Sequence, residues 1–543
     1  MVAHVGGQSG ADERDRAAAN MNDIVTTLQH STSLVKAWGH SRALNGKTLA
    51  ETLTLQEFPL WESVAVDLAR IHVPKALLGT RPPSFAQRIR PYLSWSKHVV
   101  HDPIRSRWDS QGCAGWPQSP VFLFLGFGAY IYRDVLQPVV ACLAGCNDVR
   151  SVSLYDDLAP ATAFPVAGNE LQSVWQHWDG QVQERAYALR RELQAIVARL
   201  RASGALPLII QDQGRPLWPQ MKHSFNWLFR VHLPRLVSQA AIAQHLLERH
   251  RPALVISPDV ADPRARLYCL LGSRLGIPSL QIQFGACGAD AIEWQFFVGD
   301  RLAVWGKEAS EVMLAHNVPA ELITVTGSPR HDSLVRVADA EVARTRARLG
   351  VPTASAMVLF ASAFYLDAHD SNSDREILRS VKRAIFEAAD RVAGLQVVVK
   401  PHPLEAVKET RHLAGARRNI LFADPRDDIR ELTNACDAFV TLGSTATFDA
   451  LIANKLTIGP VFPGWSGKDL PFYANSGAVV VVRSLEEIVQ SFQLIADGSS
   501  TRVLAELEPA RQRLLRHWVH RVDGQASVRV VALAREMAKT SLS

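Results

Sequence analysis

The chain of 543 residues is too long for one hydrophobic core and calls for two domains or more. Its 47% hydrophobic and 21% charged residues describe an ordinary soluble globular protein. A formal net charge of +6 suits an anionic substrate or a membrane surface, while the scatter of Lys and Arg gives no basis for a nucleic-acid partner.

The polar start MVAHVGGQSGADERDRAAAN lacks an apolar signal region, so residues 1–22 are expected to be a disordered terminus. Residues 23–118 read as a tryptophan-rich helical accessory region, clearest in FPLWESVAVDLARIHVPKALL. At PVFLFLGFGAYIYRDVLQPVV a strand from Val121 to Leu125 runs into a glycine turn and a helix, the opening of a Rossmann-like domain expected over residues 119–335. A charged helical stretch, Leu171 to Arg201, leads to the strands LPLIIQD and PALVISPD, the helix RARLYCLLGSRLG, the strands IPSLQIQFG and RLAVWG, and the strand and loop LITVTGSPRHD.

A second Rossmann-like domain is expected over residues 336–483, with strands AMVLFASAF, LQVVVKPHP, NILFADP, CDAFVTLGS, LTIGPVF and GAVVVV separated by helical segments. Residues 484–543 read as closing helices. The fold class is therefore α/β, two Rossmann-like domains with a central ligand cleft and an N-terminal helical region. Six cysteines lie far apart, and the pair Cys142 and Cys146 has neither a second pair nor nearby histidines. That pattern speaks for reduced thiols in a cytoplasm rather than disulfides or zinc. No apolar run reaches spanning length, so the expected location is cytoplasmic, at most peripheral on the inner membrane face.

Three strand ends carry candidate chemistry. In LQVVVKPHP an apolar strand runs into Lys400 and His402 at the sheet edge where α/β proteins bind ligands, with prolines restricting the backbone around them. The alternative is a strand-ending turn whose histidine caps a neighbour. In CDAFVTLGSTATFDAL, Gly443 turns the chain, and Ser444, Thr445 and Thr447 open a helix whose N–H groups and hydroxyls suit an anion; plain N-capping is the alternative. Asp449 either accepts from ribose hydroxyls or favours the helix dipole. In VTGSPRHD, Gly327, Ser328 and Arg330 would reach a phosphate across the cleft, or form an ordinary turn.

The order of GIPSLQIQFG, RLAVWG, VTGSPRHD, VVVKPHP, CDAFVTLGSTATFDALI and VDGQASVRV resembles bacterial surface-polysaccharide glycosyltransferases of the GT-B fold. It is similar to CDP-glycerol glycerophosphotransferases, capsule Kdo transferases and UDP-N-acetylglucosamine 2-epimerases, over roughly Val121 to Arg529. The resemblance implies a nucleotide donor on the second domain and a glycan or lipid-linked glycan acceptor on the first. It also implies that His402 and the Ser444–Thr447 hydroxyls contact donor phosphate and that Asp449 holds the ribose. Several relatives have histidine where this chain has Phe284, which puts the epimerase and glycerophosphotransferase mechanisms in doubt. Asp259 stands where the epimerases place an aspartate, and ranks first as catalytic carboxylate. Asp262, Asp156, Asp157 and Glu293 follow as further acids, each of which can equally be a cap or a surface group. No cofactor is expected beyond the nucleotide-sugar co-substrate, and no metal. The aromatic residues Trp218, Phe225 and Trp227 near His223 fit packing better than a sugar platform.

Overall fold

A computed structural model describes residues 9–77, 116, 120–128, 131–146, 148–156, 168–258, 260–288, 290–335, 338–363, 372–402, 405, 407–462 and 473–542. The chain forms two compact units. The first comprises Thr26–Trp305, Ala309–Arg330 and Ser527–Ser543; the second comprises Met1–Val25, Gly306–Glu308 and His331–Ala526.

The first unit is built on a seven-stranded sheet. Its strands are β1 (Val121–Leu125), β2 (Arg150–Tyr155), β3 (Asn169–Ser173), β4 (Leu254–Ser257), β5 (Ser279–Ile282), β6 (Arg301–Val304) and β7 (Ile323–Val325). The spatial order is β7-β6-β5-β4-β1-β2-β3, and every pair is parallel. All five residues of β1 are buried, as expected of a parallel strand covered on both faces. The chain moves outward from β1 to β3 and then returns to the other side of β1, so the order reverses between β1 and β4. On one face, Val135, Leu136 and Val139 pack with Phe122 and Phe124, together with Val530, Ala534 and Met537 of the last helix, Ala526–Leu542.

Four local readings need correction. Helix α1 (Ser9–His40) begins inside the stretch expected to be disordered, where alanines and charged helix formers dominate. The accessory region is not helical throughout: among its described residues are the hairpins Arg42–Leu44 with Lys47–Thr48 and Thr54–Leu55 with Phe58–Pro59. Furthermore, Asn169–Ser173 is the edge strand β3 rather than helix, and the helix starts at Gly180 behind the Asp179 N-cap. The run LPLIIQD is mostly a helical turn, Ala205–Ile209, entered through left-handed Gly204, with only Gln211–Asp212 extended.

The N-terminal helix Leu60–Asp67 is tied to the sheet domain by one buried guanidinium. Arg266, on α2 (Pro263–Arg274), is 1% exposed. Its Nε and Nη2 donate to the Glu62 carbonyl at 3.0 and 2.9 Å, and its Nη1 donates to the Phe296 and Val260 carbonyls at 2.5 and 3.2 Å. Burial lowers its pKa to about 10, which still leaves it charged at neutral pH.

The second unit carries a six-stranded sheet. Its strands are β8 (Ala356–Ala361), β9 (Leu395–Lys400), β10 (Ile420–Phe422), β11 (Ala438–Val440), β12 (Leu456–Pro460) and β13 (Val480–Val482). Again all pairs are parallel, in the order β10-β9-β8-β11-β12-β13. The first strand of the unit is central, and the order reverses between β8 and β11. Helix α3 (Asn372–Arg391) lays Leu378, Val381, Ile385 and Phe386 on one face of this sheet; Leu432 and Ala450 join Leu359 and Phe439 on the other.

Replacing Arg266 with Leu strands three buried or half-buried carbonyls that now share one cation. The expected loss is about 3–5 kcal/mol of unfolding free energy, read as a lower urea midpoint. A midpoint within error of wild type would show that the guanidinium is not what fastens the N-terminal helix.

Candidate functional site

In an open parallel sheet, the carboxyl ends of the two strands flanking an order reversal leave a crevice for ligand. In the second unit these ends are Ser362 and Ala363 after β8, and Thr441 to Ser444 after β11. Lys400 and His402 follow β9, on the far side of β8 from β11. Strand β8 thus lies between their strand and β11, because the unit's first strand takes the centre. Lys400 is 7% exposed, and its Nζ donates to the carbonyls of Pro401 at 3.0 Å and Pro425 at 2.8 Å. It ties two loops together at the sheet edge.

His402 is partly exposed, and burial pushes its pKa to about 4 against the opposing effect of Glu405, so the ring is neutral at pH 7. Its backbone N–H donates to Glu405 Oε2 at 3.1 Å. The other oxygen, Oε1, accepts from Ser362 Oγ at 2.9 Å, Lys382 Nζ at 2.7 Å and Thr410 Oγ1 at 2.5 Å. This buried network fixes the histidine loop to the end of β8 and to α3. The sequence reading passed over Glu405; its signal was a carboxylate three residues beyond the histidine in HPLE, the spacing at which a side chain reaches back to a backbone N–H.

After β11 the chain turns at Gly443, whose φ of +97° is a glycine conformation. Its N–H donates to Thr441 Oγ1 at 3.2 Å, that hydroxyl lies 2.7 Å from Thr447 Oγ1, and the Thr447 hydroxyl donates to the Ser444 carbonyl at 2.7 Å. Tyr473 donates its hydroxyl to the Thr441 carbonyl at 3.2 Å. Thr447 is fully buried, so it shapes the turn rather than touching a ligand. Asp449 is also fully buried, on the short helix Ala446–Ile452, with Oδ1 at 3.2 Å from Nε2 of His331. It does not present itself to a ribose. Solvent reaches Gly443, Ser444 and Thr445.

The VTGSPRHD segment corrects a further expectation. Residues 326–331 are buried, and Arg330 Nη1 donates to Asp134 Oδ2 at 2.5 Å inside the first unit, with both side chains 9% exposed. Asp134 also accepts from Arg133 Nε at 2.8 Å. Arg330 is therefore held as an internal counter-ion. Gly327 takes φ +85°, and Ser328, 2% exposed, has no hydrogen-bond partner for its Oγ among the described residues.

Asp259 and Asp157 lie outside the described residues. Asp262 caps α2, accepting from the Arg264 backbone N–H at 2.8 Å, and its carboxylate also takes Arg264 Nε at 3.0 Å and Nη2 at 2.6 Å. Arg264 Nη1 donates to Asp156 Oδ2 at 2.5 Å, and Trp175 Nε1 donates to Asp156 Oδ1 at 2.9 Å. Burial opposes the Arg264 charge, but Asp262 and Asp156 outweigh it and raise its pKa. Asp262 is thus a cap and ion-pair partner rather than an unencumbered general base. Beside it, at the β1/β4 reversal, a cavity of about 190 Å³ is lined by Gly126, Phe127, Gly128, Ser257, Pro258 and Arg264. Phe284 packs against the apolar core of the first sheet.

The family model described as CDP-Glycerol:Poly(glycerophosphate) glycerophosphotransferase matches residues 306–534. Among solved structures, a variant of the wall teichoic acid polymerase TagF aligns with TM-score 0.51 at 12% identity, covering 85% of this chain and 100% of that one. S. aureus MnaA in complex with UDP aligns with TM-score 0.49 at 13% identity, covering 76% and 95%. The UDP-GlcNAc 2-epimerase from Neisseria meningitidis bound to UDP-GlcNAc aligns with TM-score 0.48 at 13% identity, covering 77% and 99%. No curated protein matches by sequence. The alignment with the TagF structure shows the GT-B fold. Over residues 306–534, less than half of its length, the chain is similar to the glycerophosphotransferase family. Among the described residues no helix is long and apolar enough to cross a membrane.

Two measurements check the geometry. Arg330→Ala takes the buried guanidinium from Asp134, leaving it beside Arg133, and should cost about 3–5 kcal/mol of stability, whereas a phosphate arm would change nucleotide affinity alone. Burial pushes His72, His177, His232 and His402 from the ordinary 6.5 to about 4. Between those values the unfolded chain binds protons that the folded chain refuses, so stability is fully present above pH 6.5 and lost as pH falls towards 4. Imidazole ¹⁵N shifts should report neutral rings at pH about 5.5; charged rings there would show these sites to be open to water.

Proposed function

We propose that the protein transfers a sugar from a CMP- or UDP-linked donor to a growing surface polysaccharide or lipopolysaccharide glycan. The observation that carries this reading is the position of the family match, which spans both the histidine loop of His402 and the solvent-facing turn Gly443–Thr445. The acceptor hydroxyl attacks the carbon bonded to the donor phosphate, and the nucleotide leaves with the bonding electron pair. The N–H groups and hydroxyls of Ser444 and Thr445 receive the charge developing on the phosphate, and the neutral His402 ring contributes a donor. These groups need no metal ion for that task. A carboxylate takes the acceptor proton, with Asp259 as the first candidate. The acceptor is a glycan or lipid-linked glycan met at the inner membrane face.

A second reading is favoured by the family description itself: the donor is CDP-glycerol, and glycerol phosphate moves instead of a sugar. Phe284 favours a third, a GT-B module that binds glycan without turnover. Incubation with CMP-, UDP- and GDP-sugars and CDP-glycerol, with and without acceptor, separates them. Nucleotide released only with acceptor, from a sugar donor, supports sugar transfer; release from CDP-glycerol alone supports the second reading; interconversion of the donor without acceptor marks an epimerase; binding without release marks the module.

His402→Ala should lower kcat by about 10²–10³-fold, the effect of one lost charge-stabilising donor, with an unchanged melting temperature. A variant that melts early instead would make His402 a structural residue. Activity should survive EDTA; abolition by chelation with recovery on adding magnesium or manganese would overturn the metal-free chemistry.

A further inference from the structure

The first unit holds a cavity of about 430 Å³, within the ~300–1,000 Å³ range of small-molecule sites, that no step above uses. Its walls come from the accessory helix through Asp67, from the helical turn Leu228–His232 through His232, from helix Leu233–His250 through Arg235 and Gln239, and from the Asp156–Asp262–Arg264 cluster with Trp175. Gln239 is 6% exposed, and its Oε1 has no hydrogen-bond partner among the described residues. An amide oxygen buried without a partner costs free energy unless a ligand or water supplies a donor. That orphaned acceptor points to a ligand carrying O–H or N–H groups.

The charges narrow the class. The walls carry three carboxylates and two guanidiniums, and Arg264 already serves Asp156 and Asp262. His232 is neutral at pH 7 because burial lowers its pKa to about 4, and it faces Asp67 at 3.5 Å. A phosphodiester entering here meets three acids and one exposed guanidinium, Arg235, as its counter-charge. Sugar hydroxyls, in contrast, donate to carboxylates and to the Gln239 oxygen, while Trp175 and Leu236 offer apolar surface to a ring. We infer that this cavity binds one or two residues of a neutral, hydroxyl-rich saccharide, and that Asp67 and Gln239 read its hydroxyls. As the acceptor end of the transfer, this rests on the function proposed above; as a saccharide site, it stands without it.

The test is direct binding to the full-length protein, by calorimetry and saturation-transfer NMR, with cellobiose, lactose and chitobiose as neutral probes and glycerophosphoglycerol as the phosphodiester probe. At least one neutral disaccharide should bind, and Asp67→Asn and Gln239→Met should each weaken it about tenfold or more. CDP and UDP affinities should stay unchanged in both variants. Asp67 is partly exposed, so its variant keeps the test sound if Gln239→Met fails to fold. Binding of glycerophosphoglycerol alone, lost in Arg235→Ala, would overturn the neutral class, and binding of none of the four probes would overturn the site. Donor turnover with no disaccharide binding sinks this inference and spares the transferase reading. Disaccharide binding with no turnover of any donor does the reverse.

Discussion

A parallel strand buried on both faces can place polar side chains only where it ends, and this constraint organises both units. In each sheet the unit's first strand lies in the interior and the chain later crosses to its other side, so each sheet has one order reversal, at β1/β4 in the first unit and at β8/β11 in the second. The chemistry-bearing groups gather there for that reason. Gly126 to Gly128 and Ser257 stand at one reversal; Ser362 and Thr441 to Thr445 stand at the other.

What surrounds those openings is a set of buried charges, each held by named partners. Glu405 gathers a lysine, two hydroxyls and a backbone N–H; Asp449 faces His331; Arg330 meets Asp134; Arg264 bridges two aspartates. Such groups are costly to bury singly and stable only when paired with good geometry. They fix loop positions that apolar packing alone leaves loose, while the turn at Gly443–Thr445 and His402 stay open to solvent.

The alternation of strand and helix was legible because period and turn chemistry are local. Val121–Leu125, Leu395–Lys400 and the Gly443 turn stand where the apolar runs and glycines put them. Strand order is not local: nothing in LQVVVKPHP tells that β8 will lie between Lys400 and the Gly443 turn. Side-chain partnership is less local still. Nothing in VTGSPRHD tells that Arg330 will meet Asp134, 196 residues earlier, or that Asp449 will turn inward to a histidine 118 residues before it. The short runs NELQS and LPLII misled because a few apolar residues fit either period, and only the neighbouring strand or the left-handed Gly204 decides between them.

The last helix, Ala526–Leu542, gives its apolar face to the first unit's sheet, where Val530, Ala534 and Met537 share a core with Phe122 and Phe124. The first unit is therefore discontinuous in sequence: its strands are complete by Val325, but its core closes with residues made some 200 positions later. On a ribosome adding roughly 5–20 residues per second, that interval lasts on the order of ten to forty seconds. During it the nascent first sheet carries an uncovered greasy flank while the second unit is being synthesised and folds. Chaperone attendance in that interval, and loss of the first unit's core rather than the second's when the chain stops short, follow from where the helix packs.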